Sequence, residues 1–221
     1  MNYQTYFLLH ILKLNQSHNF AKKFRNLPPT HGGEDGGAIA PDGTVEKDIN
    51  LSIALKLKEL FDKNGVKAVM TRDEDISICD DGLDTLKLRK KSDMKNRLTM
   101  FDSSPNNIAI SIHQNKFPQS KYSGAQIFYS ENNPLSSKLA QCIRKSVVEK
   151  LQPENNRECK PADKNIYLLY NCKNPAVIVE CGFLSNSDEL ALLKNDEYQN
   201  KLAATIYDGF VDYRDNQSKK E

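Results

Sequence analysis

Ile108-Ala109-Ile110-Ser111-Ile112-His113 and, later in the chain, Ala176-Val177-Ile178-Val179-Glu180 decide the fold. Each is a nearly unbroken apolar run, the pattern of a strand buried on both faces of a parallel sheet. Each ends on a side chain able to bind metal or move a proton. Open α/β sheets tend to place their chemistry at the carboxyl ends of strands, so His113 and Glu180 are expected to converge there.

Working outward, Ala125–Tyr129 reads as a further strand and Leu135–Val148 as a helix. Ile166-Tyr167-Leu168-Leu169 reads as a short strand. Upstream, Ile49, Ile53, Leu57, Leu60 and Phe61 recur at three- and four-residue spacing and predict a helix from Glu46 to Asn64. Thr44 is its expected N-cap and Asn64-Gly65 its stop. Val66–Thr71 is an expected strand, and Thr85–Asp102 a helix with a weaker amphipathic pattern. Two helices close the chain, near Ser187–Lys194 and Glu197–Tyr213, and the polar tail Arg214–Glu221 is expected to fray. Strands alternating with helices predict a single layered α/β domain. Its expected span is 31–214, after an atypical segment 1–30 and before the tail 215–221.

Composition narrows the function classes. The 221 residues carry 31 basic and 29 acidic side chains, a net charge of +2 without a large basic block, so the electrostatic footprint of nucleic-acid binding is missing. No run approaches the ~20 apolar residues of a membrane span. The short run Tyr6–Leu12 has no basic residues before it and no clear cleavage site after it, so it reads as a leader without a convincing export signal. The five cysteines include no C-x-x-C pair and read as scattered thiols, with a Cys159–Cys172 bridge left open for an extracytoplasmic protein.

The chain has only four histidines. His31 opens the glycine-rich run His31-Gly32-Gly33-Glu34-Asp35-Gly36-Gly37, where the backbone must bend tightly or approach something closely. Glu46 begins the first helical pattern. Two imidazoles and a carboxylate suit Zn²⁺ with one position left for water, and Glu180 is then the proton acceptor. Each residue has an ordinary structural explanation. A carboxylate in a first helical turn complements the dipole, and a strand-end His or Glu often marks only the return to solvent. Their joint occurrence carries the reading of a metal hydrolase. No G-x-S-x-G elbow, P-loop or H-E-x-x-H helix competes with it, and Cys181 has no activating base implied beside it.

Five segments, in order, now carry a resemblance: His31–Gly37, Glu46–Leu51, Met70-Thr71-Arg72, Ser111–Asn115 and Val179–Asn186. Together they are similar to the zinc-dependent N-acetylmuramoyl-L-alanine amidases of bacterial cell walls, over roughly His31 to Tyr213. The resemblance implies a twisted mixed sheet flanked by helices on both faces. It implies zinc held by His31, Glu46 and His113, with Glu180 as catalytic carboxylate. It also implies peptidoglycan as substrate and an extracytoplasmic address, the cell wall or the forespore intermembrane space. The compact form and the stretch Lys116–Ser120 look like the sporulation branch, which matures spore cortex through muramic-δ-lactam. Asn115 and Asn186 are candidates for positioning substrate.

The chain departs from the family at the approach to His31, where in place of a hydrophobic strand ending Asp-Pro-Gly-His it has Leu27-Pro28-Pro29-Thr30. Prolines cannot donate to a ladder, so a first strand at Lys22–Asn26 is expected to be disrupted, as an altered upstream reading frame would leave it. Two alternatives stay open: an impaired peptidoglycan-binding protein, and a zinc peptidase acting on the stem peptide. Whether an accessory protein helps hold the metal is also open.

Overall fold

A computed structural model describes residues 10–14 and 36–218. The expected strand at Lys22–Asn26 and the candidate ligand His31 lie outside the described residues. Among the described residues six strands form one mixed sheet: β1 (His10–Leu14), β2 (Ala68–Met70), β3 (Ala109–Asn115), β4 (Gln126–Tyr129), β5 (Lys160–Pro161) and β6 (Ala176–Phe183). Their order is β2-β1-β3-β6-β4-β5. The two apolar runs are neighbours and run parallel, while β4 returns antiparallel on the far side of β6.

The first strand is a correction. His10–Leu14, which overlaps the Tyr6–Leu12 run read above as a leader, is paired antiparallel between β2 and β3, with Leu12 opposite both Met70 and Ile110. Without it, β2 and β3 would each leave a ladder of N–H and C=O groups unpaired. A proline-free extended stretch can fill that gap, and Leu27-Pro28-Pro29 cannot.

Among the described residues six helices cover the sheet: α1 (Glu46–Lys63), α2 (Leu86–Phe101), α3 (Pro134–Lys150), α4 (Tyr167–Asn171), α5 (Ser187–Lys194) and α6 (Asp196–Ser218). The period-two alternation of β3 and β6 divides their side chains between two cores. Ile110, Ile112, Val177 and Val179 join the core packed against α1, α3 and α6. Ala109, Ala176 and Ile178 meet Met100, Phe101 and Leu168 from α2 and α4 on the other face. Phe61 of α1 stands edge-on to Tyr207 and Phe210 of α6, with ring centroids 5.3 and 5.0 Å apart. At Gly209 of α6 a methyl group would come within 2.5 Å of the Ile143 backbone, so this glycine sets how closely α3 and α6 cross.

Several expectations about these elements change. Ile166–Leu169 contributes to a short helix rather than a strand, because Leu168 and Leu169 both turn into the second core. Thr44 does not cap α1. Val45 holds that place without a side-chain bond, and the Thr44 carbonyl accepts the Ala40 N–H instead. α6 continues to Ser218, beyond the last apolar residue of its pattern, where the tail was expected to fray. All five cysteines are free thiols, so Cys159 and Cys172 are not bridged. No helix among the described residues is long and apolar enough to cross a membrane.

The weak amphipathic pattern of α2 has a physical reason, since its buried side is partly polar. Arg97 and Asp93 are fully buried and paired, and Arg97 also donates to Thr71 Oγ1 at 2.7 Å. Asp93 accepts from Ser77 Oγ and the Ile78 N–H at 3.1 and 3.0 Å. The network fastens the segment after β2 to the helix. Nearby, the buried Arg72 guanidinium donates to the Lys47 carbonyl at 3.0 Å, tying the same segment to the start of α1. Burial and then the charge of Arg97 bring the Arg72 pKa down to about 10.

Truncating Arg97→Ala would leave Asp93 as a buried charge, with an expected loss of about 3–5 kcal/mol in denaturant unfolding. Gly209→Ala is expected to cost about 1–3 kcal/mol by forcing α3 and α6 apart. An unchanged melting temperature for either variant would refute its assigned role.

Candidate active site

The parallel register of β3 and β6 sets His113 level with Glu180. The antiparallel register of β4 sets Gln126 level with Glu180 on the other side. By strand alternation all three belong to the face that α2 and α4 cover. They lie toward the carboxyl end of β3 and β6, so the convergence expected from strand ends is present. Glu180 is nevertheless not the first solvated residue after a strand. β6 continues to Phe183, and Glu180 is 1% exposed.

Glu46 reaches the same place from the first residue of α1. It does not serve the helix dipole from solvent, being buried and held by four groups. The Ala38 N–H donates to Oε2 at 2.8 Å. Oε1 accepts from Asn50 Nδ2 at 3.1 Å and the Gln114 N–H at 3.2 Å, and faces His113 Nδ1 at 3.2 Å. Gln114 Nε2 donates to Asn50 Oδ1 at 3.1 Å, closing the cluster. Gly37, with φ +71°, lets the glycine-rich loop lie against this carboxylate, since a Cβ there would stand 2.7 Å from Glu46 Oε2.

The pair fits a metal of the expected kind. Ligand bonds of ~2.0–2.1 Å at tetrahedral angles put adjacent donor atoms ~3.3 Å apart, close to the 3.2 Å between His113 Nδ1 and Glu46 Oε1. One nitrogen and one oxygen donor suit zinc. Among the described residues no third His, Cys, Asp or Glu completes a metal-binding group. The residue proposed for that place, His31, is not among them.

Glu180 differs from every other buried carboxylate here. Neither of its oxygens has a hydrogen-bond partner among the described residues. Its pKa is raised well above the usual carboxylate value, first by burial and second by the charge of Glu46. A buried, unsatisfied, basic carboxylate beside a donor pair is equipped to accept a proton from water. Glu189 shows the contrast. Burial raises its pKa too, but its oxygens accept the Gly124 and Phe183 N–H groups at 2.8 Å each, so it serves to hold loops.

Cys181 points to the opposite face, into the first core, and burial pushes its thiol up, which leaves no thiolate for nucleophilic attack. The Asn186 side chain accepts the Asp188 and Glu189 N–H groups at 3.0 and 3.1 Å, capping α5 rather than reaching for substrate. Asn115 contributes its carbonyl to the Leu184 N–H. Reading the sequence missed Asn50 and Gln114. Asn50 was findable, lying one helical turn from Glu46 on the same face.

The comparisons with known proteins agree with one another. The profile of the family described as N-acetylmuramoyl-L-alanine amidase matches residues 27–212. The germination-specific N-acetylmuramoyl-L-alanine amidase of Bacillus subtilis is 34% identical over 93% of this chain and 90% of its own length. The CwlD amidase from Clostridioides difficile, solved in complex with the GerS lipoprotein, is 43% identical, with a TM-score of 0.80 over 84% of this chain and 94% of that one. The crystal structure of an N-acetylmuramoyl-L-alanine amidase from Clostridium difficile 630 is 28% identical, with a TM-score of 0.67 over 85% and 94%.

Burying an unsatisfied carboxylate destabilises the fold, and the sign with pH follows from the raised pKa. Below it Glu180 is protonated and resembles glutamine. As pH rises from the ordinary carboxylate value to that raised one, the unfolded chain gives up the proton first, so stability falls across that window and levels off above it, where the buried group is charged. In chelator-treated protein, Glu180→Gln is therefore expected to melt higher than wild type at alkaline pH and nearly level with it at acid pH. A variant that is less stable than wild type at every pH would contradict this account.

Proposed function

The chain belongs to the N-acetylmuramoyl-L-alanine amidase family, and from that premise we propose a zinc-dependent enzyme of spore-cortex maturation with Glu180 as its catalytic carboxylate. The bond cleaved by such an amidase joins the lactyl group of N-acetylmuramic acid to the L-alanine of the stem peptide. The observation that carries the proposal is Glu180 itself, buried with neither oxygen bonded among the described residues and level with His113, whose Nδ1 faces Glu46.

His113 and Glu46 would hold the zinc together with His31, which lies outside the described residues. The bound metal would polarise the lactyl carbonyl and acidify water. The remaining work belongs to the chain. Glu180, in its carboxylate form, takes a proton from the attacking water and passes it to the alanine nitrogen as the C–N bond breaks. The products are a free lactyl carboxylate and a free alanine amine. Glu46 keeps its orientation because Ala38, Asn50 and Gln114 each donate to it, the kind of support that holds a ligand in one geometry.

The cortex assignment rests on similarity to the germination-specific relative. Peptidoglycan lies outside the cytoplasmic membrane, so this chain would act there, in the cell wall or the forespore intermembrane space. An accessory protein is proposed because the Clostridioides difficile relative is solved with a lipoprotein. We also place the catalytic domain at 31–214, with β1 supplied from the segment before it.

Glu180→Gln is expected to retain about one zinc per chain and to lose roughly 10²–10⁴-fold in the release of alanine amino termini from cortex-type peptidoglycan. Metal analysis paired with amino-terminal labelling would read both. A fully active variant would remove Glu180 from the role, and wild type with neither zinc nor turnover would favour a binding protein.

A further inference from the structure

Beyond the zinc and its base, an aromatic cluster beside the site holds a charged group in a fixed position. Phe117 and Tyr122 meet edge-on at 5.4 Å, and both lie about as close to Phe183, at 6.0 and 6.2 Å. Phe117 is 46% exposed, so the cluster opens to solvent. The Arg157 guanidinium lies over Phe183 at 4.6 Å and near Tyr122 at 5.9 Å. Its Nε donates to the Ser123 carbonyl at 2.7 Å, and Nη1 reaches Gln126 Oε1 at 3.5 Å.

No carboxylate forms an ion pair with this guanidinium among the described residues, although Glu189 is near enough for the Arg157 charge to act on it. Glu158, next in sequence, bonds Arg144 at 2.8 Å. The oxygens of Glu189 are taken by backbone N–H groups. The Nη2 nitrogen has no partner among the described residues. A half-buried arginine fixed by two acceptors and two rings loses little freedom on meeting an anion, and its fork matches a carboxylate.

Its position suggests which carboxylate. Gln126 is directly level with Glu180 on the neighbouring strand, about 5 Å away, and Arg157 lies just beyond Gln126. An extended peptide advances ~3.3 Å per residue. With the scissile amide at Glu180, Arg157 is therefore within reach of the residue after the released alanine. In stem peptides that residue is a γ-linked glutamate, with an α-carboxyl that is either free or amidated.

We propose that Arg157 is a specificity contact that binds the free α-carboxylate of the stem-peptide residue following L-alanine. This rests on the amidase reading.

The test uses the zinc-loaded full chain carrying Glu180→Gln, so that ligands bind without turnover. Two N-acetylmuramoyl dipeptides are compared by calorimetry, one with only its α-carboxylate free and one with both carboxyls amidated. The carboxylate form is expected to bind roughly 10-fold tighter. Adding Arg157→Met is expected to abolish that preference. Arg157→Gln, which keeps a donor toward Ser123, should do the same if the methionine variant does not fold. Equal binding of the two dipeptides, or a preference that survives both substitutions, would overturn the proposal. So would an Arg157-dependent preference for free N-acetylmuramic acid, whose single carboxylate is the lactyl one. Alanine release by the Glu180-intact chain is scored separately. Its absence beside an intact preference would sink the amidase reading and leave the contact standing.

Discussion

The side-by-side pairing of β3 and β6 is the constraint on which the rest of this molecule depends. Parallel strands need a long crossover between them, and here it contains β4, α3, β5 and α4. Burying both strands on both faces holds their register, because a slip of one residue would exchange the side chains that fill the two cores and spoil the packing of each. That same register sets His113 level with Glu180. The active-site geometry is therefore held by the burial of Ile110, Ile112, Val177 and Val179, residues that touch no substrate.

Around that pairing, polar groups are treated in two opposite ways. Glu46 is saturated with donors, and Arg97 and Asp93 are matched to each other and to the segment after β2. These clusters fix loops and a helix end, and their energetic role is to avoid leaving any member unpaired. Glu180 is left without hydrogen bonds among the described residues, in the same low-dielectric surroundings. Leaving it so weakens the fold and raises the proton affinity of the carboxylate. Both effects come from the same desolvation, which is why a stability measurement can report on the group proposed as the base.

Much of the fold was legible in the sequence. Ile49, Ile53 and Leu57 mark α1 through their 3.6-residue period, and Asn64-Gly65 ends it where Gly65 takes φ +70°. The apolar strands were equally plain. Tyr167–Asn171 was not, because a short apolar run fits a strand or a buried helix turn, and only the core beside it selects one. β1 was missed for a related reason. Its place is defined by the gap between β2 and β3, which no local pattern announces.

The sequence by itself determined the family and singled out the residue types proposed to carry its chemistry. A carboxylate after an apolar run, a histidine after another and a glycine-rich loop are local and ordered along the chain. Tertiary structure alone decided how those residues meet. Glu46 faces His113 because α1 starts at the carboxyl edge of β3, and Glu180, buried inside β6, has no hydrogen-bond partner among the described residues. Arg157 acquires its place in the same way, through contacts with Ser123, Gln126 and Phe183 that are remote in sequence. Proximity and desolvation are properties of the packed chain, and no spacing along a sequence encodes them directly.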